Sequence, residues 1–344
     1  MGERDDLHGW LPTGIIFTAS GVSVRWIEFG DKRLSEPFFP QTIRKLRMSE
    51  PPARERVTGA EALVTHARTL PPAPPAVVIL HVSRCGSTLL GNALGTGERV
   101  LVLSEARPVS ALVNINMSRT GPPSAGIERM RRAVLDAVLR TCAYHHHGGD
   151  TKPVVKCNAS TLLWMTELRE VWPDTQFVIL VRNPVEVMVS NILRPAGWMR
   201  ARHVALDSRS LFGWSGVEVQ QMTDEEYCAR GLSAFCNAAR RQRDSNCTVI
   251  DYEDLSPERI GRLAKTIGIT LPRLDSDSYQ KVFKTCAKDV DQSATYQDDR
   301  SLKTKQATES IKEAAAEWAE EPYRALLAEA EEAPLRDSRA TVVH

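Results

Sequence analysis

Apolar residues along this chain collect in short runs separated by longer stretches with helical spacing. The runs are AVVILHV at 76–82, VLVLS at 100–104, PVVKC at 153–157, FVILV at 177–181 and CTVIDY at 247–252. Runs this short with little polar alternation read as strands covered on both faces. The intervening segments read as helices. STLLGNAL follows the first run. In GIERMRRAVLDAVLRTCAYHH, Ile127, Met130, Val134, Val138 and Cys142 recur near helical spacing, and Gly148-Gly149 ends the pattern. STLLWMTELREVWP is predicted as one helix capped by Ser160, and NPVEVMVSNIL as a helix with Asn183 as cap and Pro184 in its first turn. EEYCARGLSAFCNAARRQR and SPERIGRLAKTIGI follow, and the segment from Thr308 is helical until Pro322 breaks or kinks it. Strictly alternating strands and helices predict a parallel sheet flanked by helices.

The first part of the chain has a different texture. Residues 13–39 carry β-rich runs broken at Ser20-Gly21 and Gly30-Asp31, a hairpin or meander pattern. RKLRMSEPPARER is polar and reads as loop or short helix. LPPAPPA at 70–76 is a stiff connector. The expected division is therefore a β-rich extension with its linker at 1–75, an α/β domain at 76–335 and a flexible tail at 336–344.

Charge narrows the functional classes. Lys and Arg number 44 against 43 Asp and Glu, so the basic surplus of a nucleic-acid-binding protein is absent. The N-terminus has no secretory apolar core, and no apolar run approaches the ~18 residues of a membrane span. A cytoplasmic protein is expected, with its seven cysteines, none in a CxxC pair, as reduced thiols.

The chemistry concentrates after the first strand, in SRCGSTLL at 83–90. A tight glycine turn opening a helix offers free amides and the positive end of the helix dipole to an anion. Gly86 lets the backbone approach closely, Ser87 and Thr88 add hydroxyls, and Arg84 adds a permanent cation suited to phosphate or sulfate. The Gly-Lys-Ser/Thr ending of an ATP-binding loop is missing. FVILVRNPVEVMVS then places Arg182 at a strand's carboxyl end and Ser190 two turns into the next helix. Ligands of open α/β sheets sit beyond the carboxyl ends of the strands, so both face the crevice of the first loop. Two anion grips in one crevice suggest a nucleotide phosphorylated at two positions.

These segments resemble a known family. SRCGSTLL is similar to the 5′-phosphosulfate loop of sulfotransferases that use 3′-phosphoadenosine 5′-phosphosulfate (PAPS). LVRNPVEVMVS resembles their 3′-phosphate motif, and VIDYEDLSPERIGRLAKTIGI at 249–269 resembles their later strand-loop-helix. The resemblance covers about residues 76–270. It implies a three-layer, P-loop NTPase-like α/β domain and sulfuryl transfer from PAPS to an acceptor hydroxyl or amine. Ser83, Arg84, Cys85, Gly86, Ser87, Thr88, Leu89, Arg182 and Ser190 would then hold the donor. No metal is expected, since arginine and backbone dipoles can supply the positive charge.

Glu105, just past the second strand in LVLSEARPV, matches a glutamate of tyrosylprotein sulfotransferases and their bacterial relatives. The resemblance implies that Glu105 takes the acceptor proton and that Arg107 positions it or the substrate. Lys156 resembles the lysine of an Asn-Lys-Asp-Pro segment in those enzymes, although Cys157 and Asn158 follow it here; it would stabilise the transferring oxygens. YQDDRSLKTKQ, with Asp298, Asp299, Lys303 and Lys305, resembles a segment that folds back toward the nucleotide, which makes Lys303 a donor contact. The glycine- and lysine-rich C-terminal nucleotide loop of cytosolic sulfotransferases is missing.

Residues 194–216 form a long connection over the crevice, and Trp198 and Arg200 are expected to be exposed to the acceptor. His145–His147 reads as a polar helix end, because consecutive residues converge poorly on one metal ion. The acceptor could be a small molecule, a glycan or a peptide, and a homodimer stays open. The competing readings are an ATP-dependent P-loop kinase and a non-catalytic nucleotide-binding relative.

Overall fold

The computed structural model describes residues 6–18, 21–34, 36–113, 125–284, 303 and 305–331. Asp298, Asp299 and the tail at 336–344 lie outside the described residues.

Five parallel strands form the central sheet: β4 (Val77–His81), β5 (Val100–Ser104), β6 (Lys152–Lys156), β7 (Gln176–Val181) and β8 (Cys247–Asp251). Their order is β5-β6-β4-β7-β8. The chain leaves β4 for one edge of the sheet, then crosses back past it to β7. The carboxyl ends of β6, β4 and β7 therefore flank the point where the winding reverses, where such sheets bind ligands. All five residues of β4 are buried, as are Phe177 to Val181 of β7. Helices on both faces explain why these runs lack polar alternation.

A second, antiparallel sheet is built from β1 (Trp10–Thr18), β2 (Gly21–Glu28) and β3 (Glu55–Gly59), in that order. The hairpin is the expected one. The third strand is not, because ERVTG is short and mostly polar, with its odd positions exposed. Trp26 anchors it: the buried indole N–H donates to Thr58 Oγ1 at 2.9 Å. Two helices complete this region, α1 (Phe39–Arg47) and α2 (Ala60–Ala67). In α1, Phe39, Thr42, Ile43 and Leu46 face inward, while Arg44 and Arg47 face out. The small sheet and α2 pack on α4 (Arg107–Val113) and α5 (Ala125–His147), and one hydrophobic cluster runs from Leu11 and Trp26 into the central sheet.

Helix α3 (Ser87–Leu94) follows β4 directly. Between β6 and β7, Asn158 is the cap instead of Ser160: its side chain accepts from the Thr161 amide at 3.1 Å and opens a 3₁₀ turn at Ala159–Trp164 before α6 (Met165–Val171). Asn reaches the backbone two to three residues on, so the earlier position wins. Helix α7 (Pro184–Leu193) starts as expected, with Asn183 accepting from the Val185 amide at 3.0 Å.

The connection at 194–216 is ordered as α8 (Gly197–Arg200), a 3₁₀ turn at Ala201–His203, α9 (Ala205–Phe212) and the first residue of α10 (Gly216–Gln221). It lies against α11 (Asp224–Gln242), and α12 (Pro257–Thr266) follows β8. The C-terminal helical run does not end at Pro322. A π turn at Ala315–Ala319 precedes it, and helix resumes at Glu320–Glu331. The widened turn accommodates a ring that would collide with the carbonyl four residues back.

Among the described residues there is no disulfide. Cys85, Cys142, Cys157, Cys228 and Cys236 are buried thiols, and burial pushes Cys142, Cys157 and Cys236 up to about 12. No described helix is long and apolar enough to cross a membrane.

Candidate functional site

Beyond the carboxyl ends of β4, β5, β6 and β7 lies a cavity of ≈ 690 Å³. Its lining includes Ser83 to Leu89, Glu105, Lys156, Arg182, Ser190 and Lys303. Nearly every residue singled out as a donor or catalytic group thus borders one space, although these residues come from segments more than two hundred positions apart.

Backbone geometry shapes the anion loop. Ser83, Arg84 and Gly86 have φ of 80°, 52° and 82°. Successive left-handed residues turn backbone amides into a concave, anion-attracting surface. Gly86 has a second reason to be glycine: a Cβ there would meet Leu255 and Tyr252 side-chain carbons at 2.8 Å. Ser87 and Thr88 are buried at the helix start. His81 braces the loop. Its Nδ1 accepts from the Ser83 amide at 3.0 Å, so Nε2 carries the proton and donates to the Cys157 carbonyl at 3.0 Å. The loop is thereby tied to the end of β6, where Lys156 sits. Cys85 is fully buried, with Sγ donating to the Leu180 carbonyl at 3.2 Å, which explains a small residue there.

Arg84 reaches over the loop and donates to the Arg194 carbonyl. Its Nε is buried without a hydrogen-bond partner among the described residues. Burial, and then the neighbouring Arg194, lower its pKa from the usual arginine value, while Glu105 opposes them. A half-buried guanidinium with an unused donor is suited to an incoming oxyanion.

Arg182 is 5% exposed and held from three sides. Its Nε donates to Glu186 Oε2 at 2.7 Å, Nη1 donates to the Arg84 carbonyl at 3.4 Å, and its guanidinium carbon lies 4.1 Å from the Tyr252 ring centroid. Ser190 Oγ donates to the Glu186 carbonyl at 3.0 Å. Glu186 and Tyr252 were not among the site residues expected from sequence. The i,i+4 spacing of Arg182 and Glu186 was the available signal, and Tyr252 stands in the YEDL motif.

Glu105 and Lys156 face each other across β5 and β6. Lys156 Nζ donates to Glu105 Oε1 at 2.7 Å, and the Lys156 side chain is 1% exposed against 34% for Glu105. The Phe38 ring centroid lies 4.9 Å from the buried ammonium. Glu105 has φ 52°. Of the four described non-glycine residues with positive φ, Ser83, Arg84 and Glu105 all border this cavity, and backbone strain of this kind concentrates at working sites. Lys303 is buried against the cavity, whereas Lys305 is exposed.

One expectation changes. Trp198 is 5% exposed, not an open acceptor contact. Its ring meets Phe235 edge-on at 5.2 Å and stacks on Tyr227 at 6.2 Å, and only part of it reaches the cavity wall. Gly231 clears space for it, since a Cβ there would collide with the indole. Arg107 does not line this cavity; it lies in an adjoining groove that also touches Glu105. Arg200 is exposed and lines the cavity. His145 packs edge-on to Phe29 at 5.6 Å and its Nε2 donates to the Lys32 carbonyl at 2.9 Å, fastening the end of α5 to the N-terminal region.

Residues 75–268, more than half of the chain, match the model of the sulfotransferase family. The chain belongs to this family of sulfotransferases. Solved structures similar to it include the sulfotransferase domain from the curacin biosynthetic pathway, at 15% identity over 72% of this chain and 98% of that chain, with a TM-score of 0.38. They also include sulfotransferase STF1 from Mycobacterium tuberculosis H37Rv, at 17% identity over 65% and 76%, TM-score 0.36. A third is the sulfotransferase from Alicyclobacillus acidocaldarius, at 14% identity over 71% and 96%, TM-score 0.35. No curated protein matches the chain in sequence.

Proposed function

We propose that the chain moves a sulfuryl group from PAPS to a hydroxyl of its acceptor, with Glu105 as the base. The observation that carries this reading is the Glu105–Lys156 pair on the rim of the cavity that the anion loop and Arg182 also line. The loop amides at 83–88, with Arg84, suit the 5′-phosphosulfate end of the donor. Arg182 and Ser190 suit its 3′-phosphate, and Lys303 closes the same space from the C-terminal side.

The acceptor oxygen forms a bond to sulfur while the bond from sulfur to the 5′-phosphate oxygen breaks. The electron pair leaves on that phosphate oxygen, and the acceptor proton passes to Glu105. Lys156 keeps one carboxylate oxygen engaged, which leaves the other for the acceptor hydroxyl. Its fixed ammonium also stands beside the oxygens that gain charge in the transition state, where a preorganised cation is most effective. The left-handed backbone of Glu105 is held by the hydrogen bond from its amide to the Lys156 carbonyl, 2.7 Å long, so the base is positioned before any substrate arrives.

Residues 1–75 form an extension to the α/β domain in this reading, and Phe38 brings it to the cavity wall. A reducing cytoplasm suits the buried thiols. The test is formation of 3′-phosphoadenosine 5′-phosphate (PAP) from PAPS with a panel of hydroxyl-bearing acceptors. Wild-type turnover that disappears in Glu105→Gln, with PAP still bound, supports the reading; full activity in that variant sinks the base assignment.

A further inference from the structure

A second cavity, ≈ 890 Å³, adjoins the first and shares Glu105 with it. Its walls are β1 around Ile15 and Ile16, the inward end of α1, and the start of α4. Phe38 belongs to the first cavity and Phe39 to the second, so the entry to α1 is the ridge between them. The volume is that of a pocket for a small organic ligand.

The charge of this groove is one-sided. Its charged lining is Arg25, Arg44, Arg47, Arg107 and the shared Glu105. Glu105 is engaged by Lys156. Glu55 takes Arg47 through two hydrogen bonds of 2.7 and 3.1 Å and also lies within the field of Arg25. Among the described residues, no ion pair engages Arg25, Arg44 or Arg107. These three come from the consecutive elements β2 and α1 and from the distant α4, and all three are exposed. A chain with a formal net charge of +1 has no general basic surplus to explain their convergence. Arginine forks match carboxylate and phosphate oxygens, and a concave basic wall focuses field on an anion. Half-buried Ile15 and Ile16 add apolar lining to the same groove.

We propose that this groove is the acceptor subsite, and that the acceptor is a small molecule carrying an oxyanion, a carboxylate or phosphate, on an apolar body whose hydroxyl meets Glu105. The proposal rests on the reading of Glu105 given above. The near-neutral chain and the anionic substrate are compatible, because the selecting charge is local.

The test titrates PAP-saturated protein with phenyl phosphate and with phenylacetate, and with benzyl alcohol as the neutral counterpart. Wild type is compared with Arg44→Ala/Arg107→Ala and with Arg273→Ala/Arg324→Ala, which removes two exposed arginines elsewhere. The expected result is that at least one anionic probe binds more tightly than benzyl alcohol. It should lose about tenfold or more in the groove variant and nothing in the control. Loss of phenyl phosphate alone would assign a phosphate, and loss of phenylacetate alone a carboxylate. Equal binding of anionic and neutral probes, or equal binding by wild type and groove variant, overturns the proposal. Failure of PAP itself to bind would strike the donor-site reading instead; the same titration on protein without PAP then still decides the groove. All substituted arginines are exposed, and a melting curve checks that the variants fold.

Discussion

Lys156 Nζ lies 2.7 Å from Glu105 Oε1, between neighbouring strands whose backbones are joined at the same two residues by a 2.7 Å hydrogen bond. The pair couples an almost fully buried cation to a carboxylate that still reaches the cavity. Glu105→Gln keeps an oxygen for the lysine to donate to, so the fold should survive. Turnover should fall by about 10²–10⁴-fold, the range typical of a lost general base, with PAP affinity unchanged. Steady-state rates and a PAP titration on the same preparation check both halves.

Gly86→Ala is predicted to be damaging for two independent reasons. The residue sits at φ 82°, and the added carbon would meet Tyr252 and Leu255 at 2.8 Å. Tyr252 also stacks on Arg182, so relief of the clash should disturb both anion grips. Gly148→Ala is the comparison, because it shares a positive φ of 74° but has nothing within 4 Å of the new carbon. Denaturant unfolding should show about 1 kcal/mol lost at Gly148, from backbone strain alone, and more at Gly86. PAP affinity should fall only at Gly86.

Trp198→Ala should behave as a core truncation. A buried indole packed among Phe212, Tyr227 and Phe235 leaves a large void, and such changes remove about 3–5 kcal/mol. Thermal unfolding checks this. A variant of unchanged stability would return Trp198 to the surface role that its sequence position suggested.

Burial, reinforced by His147, Arg33 and His145, depresses the His146 pKa from 6.5 to about 4. A depressed folded-state value means that the unfolded chain binds the proton more readily. The stability this confers is complete above pH 6.5 and is lost as pH falls toward about 4. His147 is shifted in the same direction. The melting temperature should therefore decline across that window, and His146→Gln should make the decline shallower. An unchanged slope in the variant would contradict the assignment.

Much of the architecture was legible because fully buried parallel strands advertise themselves as apolar runs, and β5 and β7 fall where those runs lie. That the 83–89 loop, Arg182 and Glu105 border one crevice was legible because each stands at the carboxyl end of a strand, whereas the role given to Glu105 came from the family resemblance alone. What escaped had weaker local signals. ERVTG is a strand by virtue of Trp26 and its neighbours on β2, not its own pattern. Trp198 looked exposed because it lies in a long connection of the kind that covers clefts, and only the packing of α8 on α11 shows that Gly231 makes room for it. The groove of Arg25, Arg44 and Arg107 could not be read from the chain at all, since its residues meet only when the small sheet docks on α4.

The donor site is the claim on which the rest depends, and calorimetric titration with PAP and with ADP tests it most directly. PAP should bind tightly and ADP weakly, and Arg182→Ala should lose about tenfold or more in PAP affinity while barely changing that for ADP. Equal affinity for the two nucleotides, or a preference for ADP, would contradict it.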